Sequence, residues 1–537
     1  MTQANYSSTL NNPFGMDVQV PATILVLGLG ESGLAMARWC HAQGAIVKIH
    51  DTRTEHSLSD TAKQNIASLN AIGINQIQFG SNIDDSELDG VSIIAVSPGM
   101  SPLAEPISSL LTVATQKNIK VWGELEFFSQ ALANLRAEQH YSPKVLAITG
   151  TNGKTTTTAL TGAICARAGL SVAVAGNISP SLLDKLMECL TTQTLPQVWV
   201  VELSSFQLFY SETFDPTAAT VLNITQDHFD WHGDLAHYVA AKAKIFGPNT
   251  TAILNRDDQA VMSLLTEDAL EKVRVITFGV DAPFEEDSFG IVGDMGVGGF
   301  DWLAWVEPNL EDNPGGKRKR RSKTSDEYAE PIRVKRLIPA DALLIKGRHN
   351  AANALAALAL AQAAGLTMGP LLHGLREYRG EPHRVQSIAI INDVEYIDDS
   401  KGTNVGATIA ALIGLGMANG GGRAKLILIA GGDGKGQDFS PLLEPVRNYA
   451  KAVILIGKDA PLIQAAIEAS GIQIIQATTL EDAVNEASNL AVSGDMVLLS
   501  PACASFDMFK DYAHRAEVFV NAVEELNMQS NMVGVDA

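Results

Sequence analysis

Cysteine is scarce. The 537 residues hold four, Cys40, Cys165, Cys189 and Cys503, far apart and with no C-x-x-C pair. That excludes a zinc knuckle and a secreted disulfide scaffold. Positive charge is also short, with 39 Lys and Arg against 60 Asp and Glu and a formal net charge of −21. Phosphate surfaces repel such a chain, which excludes a general nucleic-acid or anionic-membrane binder. No stretch reaches the roughly 18 uninterrupted apolar residues of a membrane span. The nearest candidate, Ala351–Leu366, carries Asn353 and Gln362 and reads as a buried helix. Met1–Val20 has no basic start followed by an apolar run, so no signal peptide is expected and a cytoplasmic location is. A fixed-period repeat is absent too, which excludes a solenoid.

What is present is ordinary globular composition at multidomain length. Apolar residues make up 46% and charged residues 18% of the chain. At about 150 residues per domain, the length predicts about three or four domains. Short apolar runs ending in Gly, Asp or Ser recur at Thr23–Gly28, Val47–Asp51, Ser92–Ser97, Val145–Thr149, Val198–Glu202, Thr220–Ile224, Lys425–Ala430, Ala452–Ile456 and Met496–Ser500. Without polar alternation, and with helix-like segments between them, they predict parallel strands buried on both faces. The fold class is therefore α/β, and the pattern restarts several times. Arg136–Lys144, with Pro143, reads as a linker, and Tyr378–Pro382 as a second break. These divide the chain into residues 1–136, 137–379 and 380–537. Residues 280–339 read as a flexible, solvated insertion, rich in Gly and charge, with six basic residues in the seven of Lys317–Lys323.

Gly28-Leu-Gly30-Glu-Ser-Gly33 follows a strand and opens a helix, and Asp51 ends the next strand. Glycines permit close phosphate approach, and a helix N-terminus offers N–H donors. The motif alone leaves a nicotinamide dinucleotide and a nucleotide-sugar equally open. The second loop, Thr149-Gly150-Thr151-Asn152-Gly153-Lys154-Thr155-Thr156, again lies between strand and helix. It falls short of a full G-x-x-x-x-G-K-[ST], but its N–H groups can cradle phosphate, Lys154 can neutralise charge, and a Thr hydroxyl can reach Mg²⁺.

GTNGKTT resembles the ATP loop of the Mur ligase and folylpolyglutamate synthetase superfamily of ATP-dependent amide-forming ligases. Further segments narrow the resemblance: Val201-Glu202-Leu-Ser-Ser-Phe-Gln207, Leu222-Asn-Ile-Thr-Gln-Asp-His228, Gly347-Arg-His-Asn350-Ala-Ala-Asn353, Glu381-Pro-His-Arg384, Asp398-Asp-Ser-Lys401-Gly-Thr403-Asn404, Gly431-Gly-Asp433-Gly-Lys435 and Ser500-Pro-Ala-Cys-Ala-Ser505. Together they resemble the D-glutamate-adding branch of the Mur ligases, over about Thr23–Val520 apart from the insertion. Glu-Leu-Ser-Ser-Phe-Gln and Ser-Pro-Ala-Cys-Ala-Ser are the most characteristic of these segments.

The resemblance implies three domains: a Rossmann-like N-terminal domain for a UDP-sugar, a central P-loop ATPase domain, and a Rossmann-like C-terminal domain that brings the amino acid and part of the ATP site. It implies an ADP-forming ligase of peptidoglycan synthesis that works as a monomer. Its partners would be UDP-N-acetylmuramoyl-L-alanine, D-glutamate and ATP, with two Mg²⁺ ions and an acyl-phosphate intermediate. Another Mur ligase or a folylpolyglutamate synthetase-like enzyme is the alternative. Three anions must meet in such a site, so dense positive charge is needed.

Carried over residue by residue, the resemblance assigns the UDP-sugar to Gly30, Ser32, Asp51, Thr52, Arg53, Ser97, Gly99 and Asn177. ATP falls to Gly150–Thr156, Asn350, Asn353, Arg384, Asp399 and Lys401. The amino acid falls to His383, Thr403, Lys435, Ser505, Phe506 and Tyr512. Metal ligands would be Thr155, Glu202, His228 and Lys242, with Lys242 as a carbamate. Lys154, Glu202, His228, Lys242 and Asn177 would be catalytic. Lys242 stands in Tyr238-Val-Ala-Ala-Lys242, and an ammonium beside Mg²⁺ is repelled, which favours the neutral amine that reacts with CO₂. The ATP residues fall in two domains, so the resemblance also implies closure about hinges near Tyr378–Pro382.

Overall fold

The computed structural model describes residues 10–11, 13–14, 21–81, 83, 85–293, 301–307, 333–345, 347–418 and 426–533. Among them are three sheets. The first runs Gln76–Phe79, Ile46–Asp51, Thr23–Leu27, Ile93–Val96, Lys120–Trp122 in spatial order, all parallel. Numbered along the chain, that is the order 3-2-1-4-5. The direction of progression reverses between Thr23–Leu27 and Ile93–Val96, the topological switch point at which open α/β sheets bind ligands.

The second sheet has nine strands: Val334–Pro339, Asp301–Val306, Ser288–Gly293, Val275–Phe278, Thr251–Asn255, Ala218–Val221, Lys144–Thr149, Val198–Glu202 and Val172–Gly176. The third has six: Gln386–Ile391, Val394–Asp398, Met496–Leu499, Leu426–Gly431, Ala450–Ile456 and Gln473–Gln476. Only its edge strand Gln386–Ile391 is antiparallel. Each of the nine apolar runs picked out from the sequence overlaps an interior strand of these sheets. Val198–Glu202, Ile93–Val96 and Met496–Leu499 are buried at every residue. Each fully buried Val, Leu or Ile removes enough apolar surface to contribute about 1.5–3 kcal/mol.

Three readings need correction. The strand expected at Thr220–Ile224 is Ala218–Val221, which leaves Leu222–Ile224 in the following loop. The linker expected at Arg136–Lys144 is shorter, because the helix Glu124–Gln139 carries on past Arg136 until His140 adopts φ 55°. The insertion is also more ordered than expected. Ser288–Gly293, Asp301–Val306 and Val334–Pro339 extend the central sheet, the last two by antiparallel pairing. Phe289 stacks on Trp305 at 5.7 Å, and Arg256 donates to Ser288 Oγ and Phe289 O, each at 3.0 Å. The basic run Lys317–Lys323 lies outside the described residues.

The chain forms two compact units. One holds residues up to Pro339 together with Asn353–Leu375, and the other holds Ala340–Ala352 and Arg376 onward. In the first, both sheets share one continuous core containing Trp39, Phe127, Phe128 and Trp199. Phe128 meets Trp199 edge-on at 5.1 Å, and the Trp199 indole donates to the Tyr141 hydroxyl at 2.9 Å. In the second, Leu428, Val453 and Leu498 line one face of the sheet, and Ile427, Ile454 and Val497 the other. All four cysteines are free and buried.

Candidate active site

At the switch point of the first sheet lies a cavity of about 400 Å³, lined by Gly28–Ser32, Asp51–Arg53 and Ser97–Met100. Its entrance is built by glycine. Gly28 has φ +86°, and a Cβ on Gly33 would stand 1.9 Å from Gly28 O. The helix Glu31–Ala42 therefore starts hard against the strand, and its first residues, Glu31 and Ser32, line the cavity, where a helix N-terminus offers N–H donors. Asp51 takes the N–H of Leu29 at 2.8 Å and the Arg53 guanidinium at 2.7 and 2.9 Å. Burial works to raise its pKa, but the hydrogen bonds from Arg53 and Leu29 outweigh burial and hold the carboxyl below the usual range.

Every expected UDP-sugar residue except Asn177 lines this cavity: Gly30, Ser32, Asp51, Thr52, Arg53, Ser97 and Gly99. The Ser32 hydroxyl is already donated to Glu124 Oε2 at 2.6 Å, so it faces a ligand as an acceptor. Asn177 lies elsewhere. A Cβ on Gly176, φ +125°, would stand 2.2 Å from Glu202 O, and this close approach puts Asn177 on Glu202. The Asn177 N–H donates to Glu202 O at 2.7 Å and its amide to Glu202 Oε1 at 3.1 Å.

The phosphate loop follows the strand Lys144–Thr149, which lies inside the nine-stranded sheet. Gly150 (φ +156°) and Gly153 (φ +81°) turn it into the helix Lys154–Arg167. Lys154 Nζ folds back onto Gly150 O and Thr151 O at 2.9 and 2.8 Å. Thr155 and Thr156 are buried in the first turn, whereas Thr151 is pinned sideways, its Oγ1 3.1 Å from the Tyr238 hydroxyl and accepting Thr225 N at 3.0 Å. Asn353 stands against Gly153. Asn350 shares its helix, Arg348–Ala363, although the division between the two units falls between these asparagines.

Lys242 is fully buried, donating to Gly150 O at 3.0 Å and Thr149 Oγ1 at 3.3 Å, with Nζ 4.6 Å above the Tyr238 ring. Burial, and then the charge of Lys154, pull its pKa well below the ordinary lysine value. His228, partly exposed, sits at φ 56° beside Asp227, 3.5 Å away. Burial lowers its pKa, Asp227 opposes that, and Lys154 and Lys242 add to the lowering.

In the second unit, the loops after three neighbouring strands converge at one sheet edge. Asp399 N donates to Leu499 O, Gly431 N to Pro501 O, and Asp433 bridges to Ala504. Asp399 is buried, accepts Ser500 Oγ at 2.7 Å and has its pKa pushed up by burial to about 7. His383 Nδ1 lies 2.7 Å from Asp398 Oδ2, with its ring 6.4 Å from that of Tyr512, and Lys401 Nζ is 5.1 Å above the same tyrosine ring. Thr403 N donates to Lys401 O. Lys435 at φ 51° holds Nζ 5.7 Å from the Phe506 ring, beside buried Ser505. Arg384 keeps a buried Nε without a partner. The ATP and amino-acid candidates of this unit thus share one edge.

Residues 22–123 match the Mur ligase MurD-like N-terminal domain, 148–361 the Mur ligase middle domain, and 383–503 the Mur ligase glutamate ligase domain. A UDP-N-acetylmuramoylalanine–D-glutamate ligase of Cupriavidus pinatubonensis is 55% identical over 514 residues, 95% of this chain and 98% of its own. The chain belongs to the Mur ligase family. A ligase of the same name from Paraburkholderia xenovorans is 56% identical over 94% of this chain and 96% of its own. Among solved structures, MurF of Acinetobacter baumannii aligns with TM-score 0.52 at 19% identity, covering 82% of this chain and 93% of its own. MurC of Thermotoga maritima aligns with TM-score 0.51 at 18%, covering 94% and 99%. At such identities the likeness is one of fold.

In this Mur ligase, the residues that sequence reasoning overlooked are those that shape the loops. Asn223 accepts Asn152 N at 2.8 Å and donates to Asn152 O at 3.1 Å, clamping the phosphate loop. Its signal was present, inside Leu222-Asn-Ile-Thr-Gln-Asp-His228, but the strand drawn there hid it. Glu124 also went unseen. It is buried, accepts Ser32 Oγ and Leu183 N, and has its pKa raised by burial. Among the described residues no three His, Cys, Asp or Glu side chains stand together as a cation cage. Glu202 nevertheless fits Mg²⁺: its Oε2 is buried without a partner, one strand from the phosphate loop. Mg²⁺ is commonly held by one or two carboxylates completed by phosphates and water.

Proposed function

We propose that this Mur ligase joins D-glutamate to the alanyl carboxylate of UDP-N-acetylmuramoylalanine at the expense of ATP, in the cytoplasm and as a monomer, a step of peptidoglycan synthesis. The observation that carries the reading is the cavity at the switch point, whose lining contains seven of the eight residues expected to meet the UDP-sugar, in the same compact unit as the phosphate loop.

A carboxylate is a poor electrophile, so it must first be activated. Its oxygen attacks the γ-phosphorus of ATP, ADP leaves, and an acyl phosphate forms. The amine of D-glutamate then adds to the acyl carbon, and phosphate leaves the tetrahedral intermediate as the amide forms. Gly150–Thr156 cradle the phosphates through backbone N–H groups, and Lys154 releases its own loop carbonyls to take charge on the transferring phosphoryl group. Glu202, Thr155, His228 and carbamylated Lys242 would hold two Mg²⁺ ions, which when bound neutralise phosphate charge. Asn177 fixes Glu202 through Oε1 and leaves Oε2 for that task. Carbamylation of Lys242 consumes its neutral amine and CO₂ and releases one proton, turning a buried amine into an anionic, hard oxygen donor. Asn350, Asn353, Arg384, Asp399 and Lys401 bind the nucleotide. His383, Thr403, Lys435, Ser505, Phe506 and Tyr512 receive the glutamate, whose two carboxylates need cationic and hydroxyl partners.

The test is phosphate release from ATP in the presence of UDP-N-acetylmuramoyl-L-alanine while the acceptor is varied. Release that requires D-glutamate is expected. Equal release without an acceptor, or with L-glutamate, would overturn the reading.

A further inference from the structure

The wall of the nucleotide-sugar cavity hangs on aromatic side chains of the central domain. Trp231 donates through Nε1 to Pro98 O at 3.1 Å, and the Tyr210 hydroxyl donates to Met100 O at 3.2 Å. Pro98 and Met100 both line the cavity. Ser101 completes the attachment, donating its hydroxyl to Trp231 O at 2.9 Å and accepting Leu103 N at 3.2 Å.

Trp231 is only 5% exposed and lies in the four-residue helix Phe229–His232, whose N-cap is His228. Trp231 N and His232 N both donate to His228 O, at 3.1 and 3.0 Å. The Phe206 ring stands 4.7 Å from the His228 ring and 4.7 Å from the Trp231 ring, stacked on the latter. A displacement of the indole therefore reaches the imidazole by two routes, the backbone turn and one packed ring. The next residue fixes the helix from inside: buried His232 places Nε2 2.9 Å from Ser205 Oγ. With that side held, the indole is the part of the helix that answers to the cavity wall.

We propose that Trp231 is a positioning residue that couples filling of the nucleotide-sugar cavity to the placement of His228, so that UDP-sugar and magnesium-nucleotide bind cooperatively. This rests on the proposed reading of the cavity as the UDP-sugar site and of His228 as a magnesium ligand. Coupling of this kind needs a contact that differs between the filled and empty states. The Pro98 carbonyl supplies one, because a ligand against Ser97–Gly99 bears on the same short segment that the indole holds from behind. A phenylalanine at 231 would keep an aromatic ring against Phe206 while losing that bond and part of the indole's volume.

The experiment is a titration of the full chain with UDP-N-acetylmuramoyl-L-alanine, with and without Mg²⁺ and a non-hydrolysable ATP analogue. In the native protein the pair should tighten UDP-sugar binding about five-fold or more, the lower range of allosteric couplings. In Trp231→Phe the ratio should fall to near one, in a protein that keeps a cooperative unfolding transition at a somewhat lower melting temperature. Ser101→Ala, which frees the backbone carbonyl of Trp231 but keeps the indole bond, should give an intermediate ratio, and it decides alone if Trp231→Phe does not fold. A native-like ratio in the folded variants, or no coupling in the native protein, would overturn this inference alone. No binding of the UDP-sugar by the native chain would overturn the functional reading and this inference with it.

Discussion

The side-chain oxygen of Asn353 lies 2.7 Å from the point that a methyl group on Gly153 would occupy, and Gly153 sits at φ +81°. One residue thus meets two separate constraints, a left-handed backbone and a polar neighbour with no room to spare. Gly153→Ala should destabilise the protein by about 1–3 kcal/mol and raise the KM for ATP. Adding Asn353→Ala should recover the part due to crowding and leave the part due to φ. Chemical denaturation of the two single variants and the double variant checks this, and strictly additive losses would show that the contact costs nothing.

Lys242→Ala should abolish turnover while leaving the fold intact, and a small added carboxylate should restore part of the activity. The native protein should carry a carbamate carbon signal at Lys242 under saturating bicarbonate. Full activity of the variant, or no such signal, would sink the carbamate assignment. The burial that lowers the pKa of this lysine supplies the neutral amine that CO₂ requires.

Asp399 gives the stability a definite pH dependence. Its pKa is pushed up to about 7 by burial, while an aspartate in the unfolded chain titrates near 3.9. Between those values the folded state keeps a proton that the unfolded state has released. The contribution of Asp399 to stability therefore falls as pH rises from about 4 to about 7, and is level above that. Asp399→Asn should flatten the fall between pH 5 and 7.5 in urea midpoints. An unchanged slope would place the ionisation elsewhere.

Residues 309–331 contain none of the side chains placed in the site. Their deletion should leave turnover within about three-fold, since length changes in surface connections cost little closure entropy. Removing Ser288–Pro339 as well is a different experiment, because it strips the strands that carry Phe289 and Trp305 from the central sheet. That larger deletion should lower the melting temperature by about 5 °C or more. A hundred-fold loss of turnover in the smaller deletion, with the fold retained, would bring the basic run into the chemistry.

What could be read in advance follows burial. Interior strands such as Ile93–Val96 and Leu426–Gly431 are apolar at nearly every position, because helices cover both faces, and they stand out from their surroundings. Edge strands are only partly covered and read like loops: Gln76–Phe79 exposes alternate residues, and Gln473–Gln476 exposes both ends. Motif loops were legible because glycine and lysine at fixed spacing have few other uses. The residues behind them were not. Asn223 and Glu124 act through partners about 70 and 90 positions away, Asn152 and Ser32, and no local pattern announces such pairs. The position of Asn177 was hidden for the same reason, since only the approach of Gly176 to Glu202 puts it on that carboxylate.

The buried carboxylate of Glu124 ties Ser32 of the first sheet's helix to Leu183 of the second domain, and Arg38 grips Asp184 beside it through three hydrogen bonds. With Trp231 and Tyr210 bonded to the other side, the cavity is tied to the domain of the phosphate loop at both ends, so their separation varies little even where the indole shifts locally. The molecule is therefore a ruler. If the cavity holds the uridine end of a nucleotide-sugar, as proposed, the acyl end is offered at one distance, and a peptide stem one residue too short or too long would bring its carboxylate to the wrong mark. Discrimination between successive intermediates of a growing peptide then needs no pocket shaped to each side chain, only a frame that does not stretch.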